Sequence, residues 1–493
     1  MRKSLEKSRR LQRFLEILPG FVSWNLILFL VWGSYWSPLM VAYFVLFFDV
    51  YWVYQSVNLG ITLFIAHFRI QASSRFDWLR EVKQFGDYKK VHHVVIVPNW
   101  KEPIRILKRT LNSLASQDLA KKQLSIVLAM EEREEGWKEK AEELKKEFGL
   151  KFGNFFITVH RLKSNEVIGK ASNESYAAKW VKRRMIDDGG YDIDYMTITS
   201  CDADHSFHPK HFSCLTYKFL DNPRRYRLFW QPAVQYYNNF WRLPAPSRVV
   251  NTFNTVHNTA RLVRTDIMVN CQNYSASFKM IDEVGYWDSD VIPEDYRIFF
   301  KAFYHYKGKI EVDPIFLPVW GDAAESTGFW RTMRNQYEQF KRWAWGVSDD
   351  PYVIKKFFLV KGVSFWEKLV RLLRIVEEHF LWPVNWFVIT LGVNIPAIFN
   401  PNFSKTIIGY TLPRLASGIL TLALVFLAVI MIIDAKQRPR RPKEVPWWRP
   451  LLIPAEFVLM PIVGFFFSAL PGLDAHTRLM LGKYLQYRVT EKV

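Results

Sequence analysis

Long apolar segments at both ends of the chain limit its fold more than any other feature of the sequence. Residues 21–66 are apolar and aromatic apart from an interruption at Pro38, and three further apolar stretches cover about residues 379–399, 412–433 and 451–470. A membrane-spanning helix needs about 20 apolar residues. We therefore expect an early two-helix hairpin and three later spans, which makes the chain a multi-pass integral protein of the cell membrane.

Basic residues flank these apolar segments. Basic side chains are typical of the cytoplasmic ends of membrane spans. The set comprises Arg2, Lys3, Lys7, Arg9, Arg10 and Arg13 before the first segment, and Lys436, Arg438, Arg440, Arg441 and Lys443 after a later one. The C-terminal tail is also basic, although five spans would place it on the opposite side from the N-terminus. Pro454, Pro461 and Gly464 could bend the last stretch into a re-entrant hairpin, so the number of C-terminal spans stays open.

The formal net charge of +20 is compatible with binding either to nucleic acid or to a membrane surface. Because the basic and aromatic residues lie beside or within apolar segments, we expect a lipid bilayer and no nucleic acid as a partner. The cysteines Cys201, Cys214 and Cys271 are odd in number and lack C-x-x-C spacing. They suggest neither a disulfide framework nor a zinc site, and they fit a reducing cytoplasmic compartment.

The middle of the chain alternates short apolar runs with helix-like stretches. The apolar runs cover residues 94–97, 126–128, 155–159 and 196–199, and the helix-like stretches cover residues 105–116, 138–148 and 172–185. Strands that alternate with helices predict an α/β fold with a mostly parallel sheet covered on both faces. Ligands of such sheets bind beyond the carboxyl ends of the strands, so the polar residues that follow the runs are site candidates.

Asp202-Ala203-Asp204 is one of three D-x-D patterns, and it directly follows a predicted strand. Two carboxylates at alternate positions beyond a strand end can share a divalent ion that bridges two phosphates. The alternative is an acidic cap on the following loop. His205 and His208 could add a ligand, but two ordinary loop histidines are the simpler interpretation.

Glu294-Asp295 lies between Pro293 and the apolar residues 298–300, which places the pair near the start of a helix. Acidic residues at this position commonly act as helix caps and dipole partners. The functional alternative is proton transfer, in which a positioned carboxylate removes a proton from a weak nucleophile.

Gln339, Arg342 and Trp343 share one helix face, because positions i, i+3 and i+4 are neighbours on a helix. An arginine there suits bidentate contact with phosphate, and a tryptophan offers a flat surface to a sugar ring. The alternative is an aromatic core helix. The aromatic residues that would belong to it are Trp330, Tyr337, Phe340 and Trp345.

In this order the motifs resemble the membrane-embedded family 2 glycosyltransferases, the group that contains the cellulose, chitin and hyaluronan synthases. The resemblance covers roughly residues 90–350, with apolar segments on both sides. It implies a GT-A-like (Rossmann-like) cytoplasmic catalytic domain flanked by transmembrane α-helices. It also implies inverting sugar transfer from a nucleotide-diphosphate donor, with a UDP-sugar favoured, to a glycan or lipid acceptor, with Mg²⁺ or Mn²⁺ as the cofactor.

The resemblance implies roles for individual residues. Asp204 would bind the metal directly, and Asp202 would contact the ribose or the metal shell. Asp295 would be the general base, with Glu294 beside it, in an element where Pro293 replaces the threonine of the family. The donor-binding residues would be Glu102, Glu131, Lys170, Asp202, Gln339 and Arg342, and Trp343 would bind the acceptor.

Two departures from the family pattern concern the donor base and the acceptor. Glu131 stands where the family has an aspartate, so the contact with the nucleobase is altered. Asn270-Cys271-Gln272-Asn273 occupies the region of the acceptor loop without matching its pattern. The sequence therefore predicts the acceptor less securely than the donor.

The chain divides into four predicted regions. They are a basic segment and membrane hairpin at residues 1–66, a GT-A-like glycosyltransferase domain at 67–350, an amphipathic interface helix or core-facing helix at 351–378, and a membrane region at 379–493. The function that fits best is a processive polysaccharide synthase. The first alternative is a single-transfer enzyme that acts on a lipid carrier or glycolipid, and the second is an inactive membrane scaffold that binds nucleotide or glycan.

Overall fold

A sheet of eight strands forms the centre of the protein in a computed structural model that describes residues 8–486. The strands are β1 (His92–Pro98), β2 (Leu124–Glu131), β3 (Asn154–His160), β4 (Met196–Ser200), β5 (Ser206–Phe207), β6 (Leu228–Gln235), β7 (Tyr274–Ser277) and β8 (Glu311–Trp320). Their order across the sheet is β3-β2-β1-β4-β7-β6-β8-β5. The basic residues Arg2, Lys3 and Lys7 lie outside the described residues.

Strands β1 to β4 are parallel to one another, as the sequence predicts. The other strands confirm the expectation of a mostly parallel sheet, since six of the eight described strands run in the same direction. Strand β7 runs antiparallel to both β4 and β6, and β5 runs antiparallel to β8, while β6 and β8 are parallel. Strands β5 and β7 therefore make the sheet mixed. The sequence-based prediction did not include the four later strands.

The sheet separates two hydrophobic cores, since side chains of a strand alternate between its faces. Val94 and Ile96 of β1 pack into one core, and Val95 and Val97 pack into the other. All four side chains are fully buried. A strand buried on both faces reads as a continuous β-branched run, which explains why β1 is recognisable in the sequence.

Helices cover both faces of the sheet and continue into the terminal regions. In chain order they are α1 (Arg9–Trp36), α2 (Pro38–Arg75), α3 (Trp78–Val82), α4 (Ile104–Ala115), α5 (Trp137–Phe148), α6 (Lys170–Val181), α7 (His211–Asp221), α8 (Ala245–Ala260), α9 (Phe278–Glu283), α10 (Glu294–His305), α11 (Phe329–Ala344), α12 (Asp350–Leu359), α13 (Phe365–Leu381), α14 (Asn385–Leu391), α15 (Ile395–Phe399), α16 (Ile407–Gln437) and α17 (Arg449–Met480).

Four helices among the described residues are long and apolar enough to cross a membrane, namely α1, α2, α16 and α17. Helices α2 and α16 pack closely, because Gly60 of α2 has no side chain to keep Phe426 of α16 away. A Cβ atom at Gly60 would lie 2.7 Å from the Phe426 ring. The early hairpin turns at Ser37, and α2 extends to Arg75, beyond the apolar segment that predicts it.

The stretch at residues 379–399, which the sequence predicts as a membrane span, is not one continuous helix. This stretch is divided among the end of α13 and the short helices α14 and α15. Pro383 and Pro396 account for the interruptions, since a proline cannot donate the backbone hydrogen bond that a helix interior requires. The last apolar stretch forms one continuous helical run, α17, instead of a re-entrant hairpin.

Helix α13 is amphipathic. Ile375, His379 and Phe380 are buried, whereas Phe365 and Trp366 are exposed. Glu378 accepts a hydrogen bond from Tyr296 of α10, and Glu377 accepts hydrogen bonds from α2. The assignment of residues 351–378 to the membrane interface stays a prediction.

Candidate functional site

Two cavities meet beyond the carboxyl ends of strands β1, β2 and β4. The smaller has a volume of about 110 Å³ and lies against the residues that follow these strands. The larger has a volume of about 620 Å³ and extends toward helix α2. Lys170, Asp202 and Arg342 line both cavities. These three charged residues therefore form the boundary between two spaces that two different ligands could occupy.

The smaller cavity contains the predicted donor residues Glu102 and Glu131. The Glu131 carboxylate accepts hydrogen bonds from Arg133 at 3.0 and 3.2 Å, and it lies 3.4 Å from the His160 ring. The Arg133 guanidinium stacks over the Trp100 ring at 4.4 Å. Glu102 accepts a hydrogen bond from the Trp100 main-chain N–H. A flat aromatic–guanidinium surface beside a carboxylate is suited to a nucleobase.

Lys170 lies at the first position of α6 and is surrounded by carboxylates. Its Nζ atom is 2.7 Å from Asp202, 3.6 Å from Glu174 and 3.6 Å from Glu294. Burial lowers the pKa of Lys170, but the carboxylates outweigh burial and hold this pKa well above its usual value. One ammonium group thus compensates three acidic side chains at the boundary of the two cavities.

Burial has the opposite consequence for the carboxylates of this cluster. It raises the pKa of Glu174 to about 7, against the lowering influence of Lys170. Burial and the charge of Asp295 raise the pKa of Glu294 to about 8. For Asp202, the attraction of Lys170 exceeds the cost of burial, so the pKa of Asp202 is lowered. Asp202 is therefore ionised at neutral pH, and it is the carboxylate of the cluster that lies closest to Lys170.

Asp202 and Asp204 follow strand β4, as the sequence predicts. His205 Nδ1 lies 3.3 Å from Asp204 and 3.8 Å from Asp202, and both buried ring nitrogens of His205 lack a hydrogen-bond partner. Within residues 8–486, no group of three His, Cys, Asp or Glu side chains is arranged to hold a metal ion. The donor set fits an ion that takes its remaining ligands from substrate phosphates, as Mg²⁺ commonly does.

Asp295 lies in the first turn of α10 and lines the larger cavity. One carboxylate oxygen accepts the Tyr296 main-chain N–H at 2.8 Å, and the other accepts the Gln272 main-chain N–H at 2.9 Å. Each oxygen is therefore oriented by a main-chain group. Glu294 lines the same cavity and turns toward Lys170.

Helix α11 brings Arg342 and Trp343 to the larger cavity. The Trp343 ring lies 6.0 Å from the Tyr236 ring and 4.9 Å from the Phe340 ring. Gln339 is buried, accepts a hydrogen bond from Gln336 and lines neither of the two cavities. The predicted face is thus split, because Gln339 contacts its own helix while Arg342 and Trp343 reach the site.

The aromatic neighbours of this helix divide between two environments. Phe340 and Trp345 are buried, in agreement with the alternative of an aromatic core helix for these two residues. Trp330 does not belong to that core, since 80% of its surface is exposed.

The far wall of the larger cavity is a polar face of the membrane-length helix α2. Tyr51, Gln55, Asn58 and Thr62 line the cavity and follow one another at helical spacing. The sequence analysis did not identify them, because they lie within an apolar segment interpreted only as a membrane span. Their spacing is the signal that could have identified them, since i, i+4, i+7 and i+11 positions share one helix face.

Helices α8 and α13 supply the remaining polar walls. Asn254 and Asn258 line the cavity, and the Nδ2 atoms of both are buried without a hydrogen-bond partner. Arg374 pairs with Glu377 at 2.8 Å and with Glu378 at 2.9 Å. The cavity therefore combines unpaired amides with charges that compensate one another.

Residues 197–434, just under half of the chain, match the family model described as glycosyl transferase family group 2. No curated protein sequence matches the chain.

Solved structures give distant likenesses. The mannosyltransferase PcManGT from Pyrobaculum calidifontis, in complex with GDP-Man and Mn²⁺, is 11% identical, with a TM-score of 0.42 over 88% of this chain and 99% of that chain. TarS 1-349 from S. aureus, in complex with UDP-GlcNAc, is 12% identical, with a TM-score of 0.38 over 69% of this chain and 92% of that chain.

The match of residues 197–434 to a glycosyl transferase family model confirms the prediction that the protein is a glycosyltransferase. The mixed α/β sheet and the four membrane-length helices confirm the predicted fold class of a GT-A-like domain flanked by candidate membrane spans. The roles of the individual site residues stay predictions.

Proposed function

We propose that the protein is a membrane-integrated, inverting glycosyltransferase that extends a glycan as a processive polysaccharide synthase. The observation that carries this proposal is the larger cavity, which joins Asp295 and Trp343 to the polar face of α2. Helix α2 presents Gln55 and Asn58 to this cavity. These polar side chains favour a hydrophilic acceptor that passes along the helix. An acceptor that advances by one sugar in each cycle needs such a space beyond the reacting unit.

The smaller cavity is the proposed donor site. Glu102 and Glu131 would contact the nucleoside of a nucleotide-diphosphate sugar, and we favour a UDP-sugar. Asp202 would contact the ribose or the metal shell. Arg342 would pair with the diphosphate, because this residue lines both cavities.

Asp204 and Asp202 are the residues that would hold Mg²⁺ or Mn²⁺ together with the donor phosphates. When bound, this cation neutralises the negative charge that develops on the leaving diphosphate. His205 is the neighbour that would orient Asp204, since its ring lies 3.3 Å from that carboxylate.

Asp295 is the proposed general base. The acceptor hydroxyl would transfer its proton to the Asp295 carboxylate while its oxygen attacks the anomeric carbon and the nucleoside diphosphate leaves on the opposite side. This in-line displacement inverts the anomeric configuration. A positioned base typically contributes about 10²–10⁴-fold to the rate. The main-chain N–H groups of Gln272 and Tyr296 would keep the carboxylate oriented during the transfer.

The polar groups of the larger cavity favour a glycan over a lipid phosphate as the acceptor. Buried amides without partners, such as Asn254 and Asn258, are complementary to sugar hydroxyl groups. Two of the cavity arginines already pair with carboxylates, since Arg374 pairs with Glu377 and Glu378 and Arg264 pairs with Asp266. An additional phosphate would have to compete with these carboxylates.

We further propose that α1, α2, the stretch at residues 379–399 and α16 cross the bilayer. Both ends of α17 lie on the catalytic side, beside Arg248 of α8 and Arg13 of α1. Four crossings return the chain to the side from which it started, which resolves the conflict that five spans would create. The basic residues that follow α16 then lie on the cytoplasmic side with the catalytic domain, as the positive-inside rule predicts.

The proposal is tested by incubating purified protein with Mn²⁺ and a panel of radiolabelled UDP- and GDP-sugars, and by sizing the product on a gel. We expect a polymer ladder from the wild type and no transfer from Asp295→Asn, which should still bind nucleoside diphosphate. Trp343→Ala should give shorter products because the acceptor platform is lost. Trp330→Ala is the matched control, since this tryptophan lies on the same helix but is exposed.

Two outcomes would contradict parts of the proposal. A wild-type product limited to a mono-glycosylated lipid would exclude processive synthesis and support the lipid-carrier alternative. Turnover by Asp295→Asn above about a tenth of the wild-type value would assign the base to another residue.

A further inference from the structure

The loop between α8 and β7 contacts three functional groups of the proposed site. Asn270 donates a hydrogen bond to the Asp295 main-chain oxygen, and the Asn273 side chain accepts the Asp202 main-chain N–H at 2.6 Å. Between them, Gln272 contacts both Asp295 and Lys170. This loop departs from the acceptor-loop pattern of the family that the chain resembles.

Gln272 has a left-handed backbone conformation with φ of 58°. A non-glycine residue rarely adopts this conformation, because its Cβ atom crowds the neighbouring carbonyl oxygen. In this conformation the Gln272 N–H donates to Asp295 Oδ2 at 2.9 Å, and its carbonyl oxygen accepts from Lys170 Nζ at 3.3 Å. A single main-chain unit thus contacts both the proposed base and the central ammonium group.

The neighbouring residues hold this conformation in place. Gln231, a buried residue of β6, accepts the Cys271 main-chain N–H at 2.8 Å. Its side-chain amide also donates to the carbonyl oxygens of Cys271 and Asn273 at 3.1 and 3.0 Å. The residues before and after Gln272 are therefore fixed by one side chain. A strained conformation persists where the surrounding contacts determine it in this way, and it is concentrated at functional sites.

The side chain of Gln272 has a separate connection. Its amide contacts the Tyr236 hydroxyl at 2.6 Å, and the Tyr236 ring lies 6.0 Å from that of Trp343. The main-chain contact with Asp295 and the side-chain contact with Tyr236 can therefore be separated by substitution.

We propose that Gln272 is a positioning residue for sugar transfer, and that its left-handed main chain holds the Asp295 carboxylate toward the acceptor. The inference rests on the proposed function, in which Asp295 is the general base. In an extended conformation, the Gln272 N–H would turn away from Asp295, and one carboxylate oxygen would lose its fixed donor. Only the Tyr296 N–H would then orient the carboxylate.

The test uses substitutions that differ in their tolerance of a left-handed backbone. Glycine adopts this conformation freely, asparagine adopts it more readily than most residues, and valine adopts it poorly. We expect Gln272→Gly and Gln272→Asn to retain kcat for transfer within about threefold, because the main-chain N–H stays in place. Gln272→Val should lower kcat by about tenfold or more, as expected for the loss of a hydrogen bond to a charged group.

Binding of nucleoside diphosphate, measured by calorimetry on the full-length protein in detergent, separates positioning from a general structural defect. We expect its Kd to stay within about threefold for all Gln272 variants, since the donor residues are unchanged. If Gln272→Val does not fold, Gln272→Ala replaces it and should lie between glycine and valine in kcat. Tyr236→Phe reports the contribution of the side-chain contact alone.

The failure of this inference differs from the failure of the proposed function. Equal losses in Gln272→Gly and Gln272→Val, with Asp295→Asn inactive, would overturn the role of the main chain and leave Asp295 as the base. An active Asp295→Asn variant would instead remove the base assignment on which the inference rests.

Discussion

Replacing Lys170 by methionine should destabilise the protein strongly, because the substitution retains the length of the side chain but removes the charge. At distances of 2.7, 3.6 and 3.6 Å, the gross attractions to Asp202, Glu174 and Glu294 are about 6, 5 and 5 kcal/mol at an effective dielectric constant of about 20. Desolvation offsets most of this attraction. Removal of one partner from a buried ion pair nonetheless costs about 3–5 kcal/mol, since the remaining charge stays buried.

The cost should depend on pH. The pKa values of Glu174 and Glu294 in the folded protein, about 7 and about 8, lie above the ordinary value of 4.5. The folded state therefore binds more protons than the unfolded state between pH 4.5 and 8, and its stability falls as the pH rises through this window. Without Lys170 the ionised carboxylates lose their counter-charge, so the deficit of Lys170→Met should be larger at pH 8 than at pH 6.

Thermal unfolding in detergent, followed by tryptophan fluorescence at both pH values, measures the effect. We expect Lys170→Met to lower Tm by about 3–5 °C at pH 8. The matched control is Lys218→Met, which removes a partly exposed ion pair with Asp313 at 2.9 Å and should cost about 0–1 kcal/mol. If Lys170→Met and the control had the same Tm at pH 8, the ammonium group would not be what stabilises the carboxylate cluster.

Two further predictions concern the metal and the membrane. Asp204→Asn should abolish Mn²⁺-dependent binding of nucleoside diphosphate, measured by calorimetry, because a ligand charge is lost. The control Asp290→Asn, in another D-x-D pattern, should bind the nucleoside diphosphate normally. Unchanged affinity of Asp204→Asn would show that Asp204 is not a metal ligand. A cysteine at the exposed position Arg440 should resist an impermeant thiol reagent applied to intact cells, whereas one at Asn402, before α16, should react. The opposite labelling pattern would invert the proposed topology.

The parts of the fold that were predictable from the sequence are those with a local cause. Strands β1 and β2 are buried on both faces, and such strands are continuous apolar runs in the sequence. Residues 94–97 and 126–128 could therefore be recognised as strands. Lys170 and Asp202 could be placed at one edge of the sheet, because the carboxyl ends of parallel strands share that edge. Their contact at 2.7 Å is a consequence of this shared edge.

The remaining features depend on contacts between residues that are distant in sequence. Strand β7, Tyr274–Ser277, is short and half of its residues are serines, and it becomes a strand because β4 and β6 flank it. The conformation of Gln272 is fixed by hydrogen bonds between Gln231, on strand β6, and the residues on either side of Gln272. Gln339 was expected at the site from its helical spacing, but spacing could not show that Gln336 would contact it.

Helix α2, one of the membrane-length helices, is connected to α10 through α13. Tyr296, next to Asp295, donates a hydrogen bond from its hydroxyl group to Glu378 at 2.6 Å. The adjacent Glu377 accepts hydrogen bonds from Tyr51 and Gln55 of α2. These contacts form a continuous path from the first turn of α10 through α13 to a membrane-length helix.

This path explains why polar residues occur within an apolar segment. Tyr51 and Gln55 would be costly in a helix that faced only lipid, since unpaired polar groups are expensive in hydrocarbon. In this protein their partner is Glu377, whose neighbour Glu378 anchors Tyr296. Tyr51 and Gln55 therefore stabilise the packing of α2 against α13, and they also form the wall of the cavity that faces Asp295. Separation of α2 from the catalytic domain would remove both the cavity wall and one anchor of the helix that carries the proposed base.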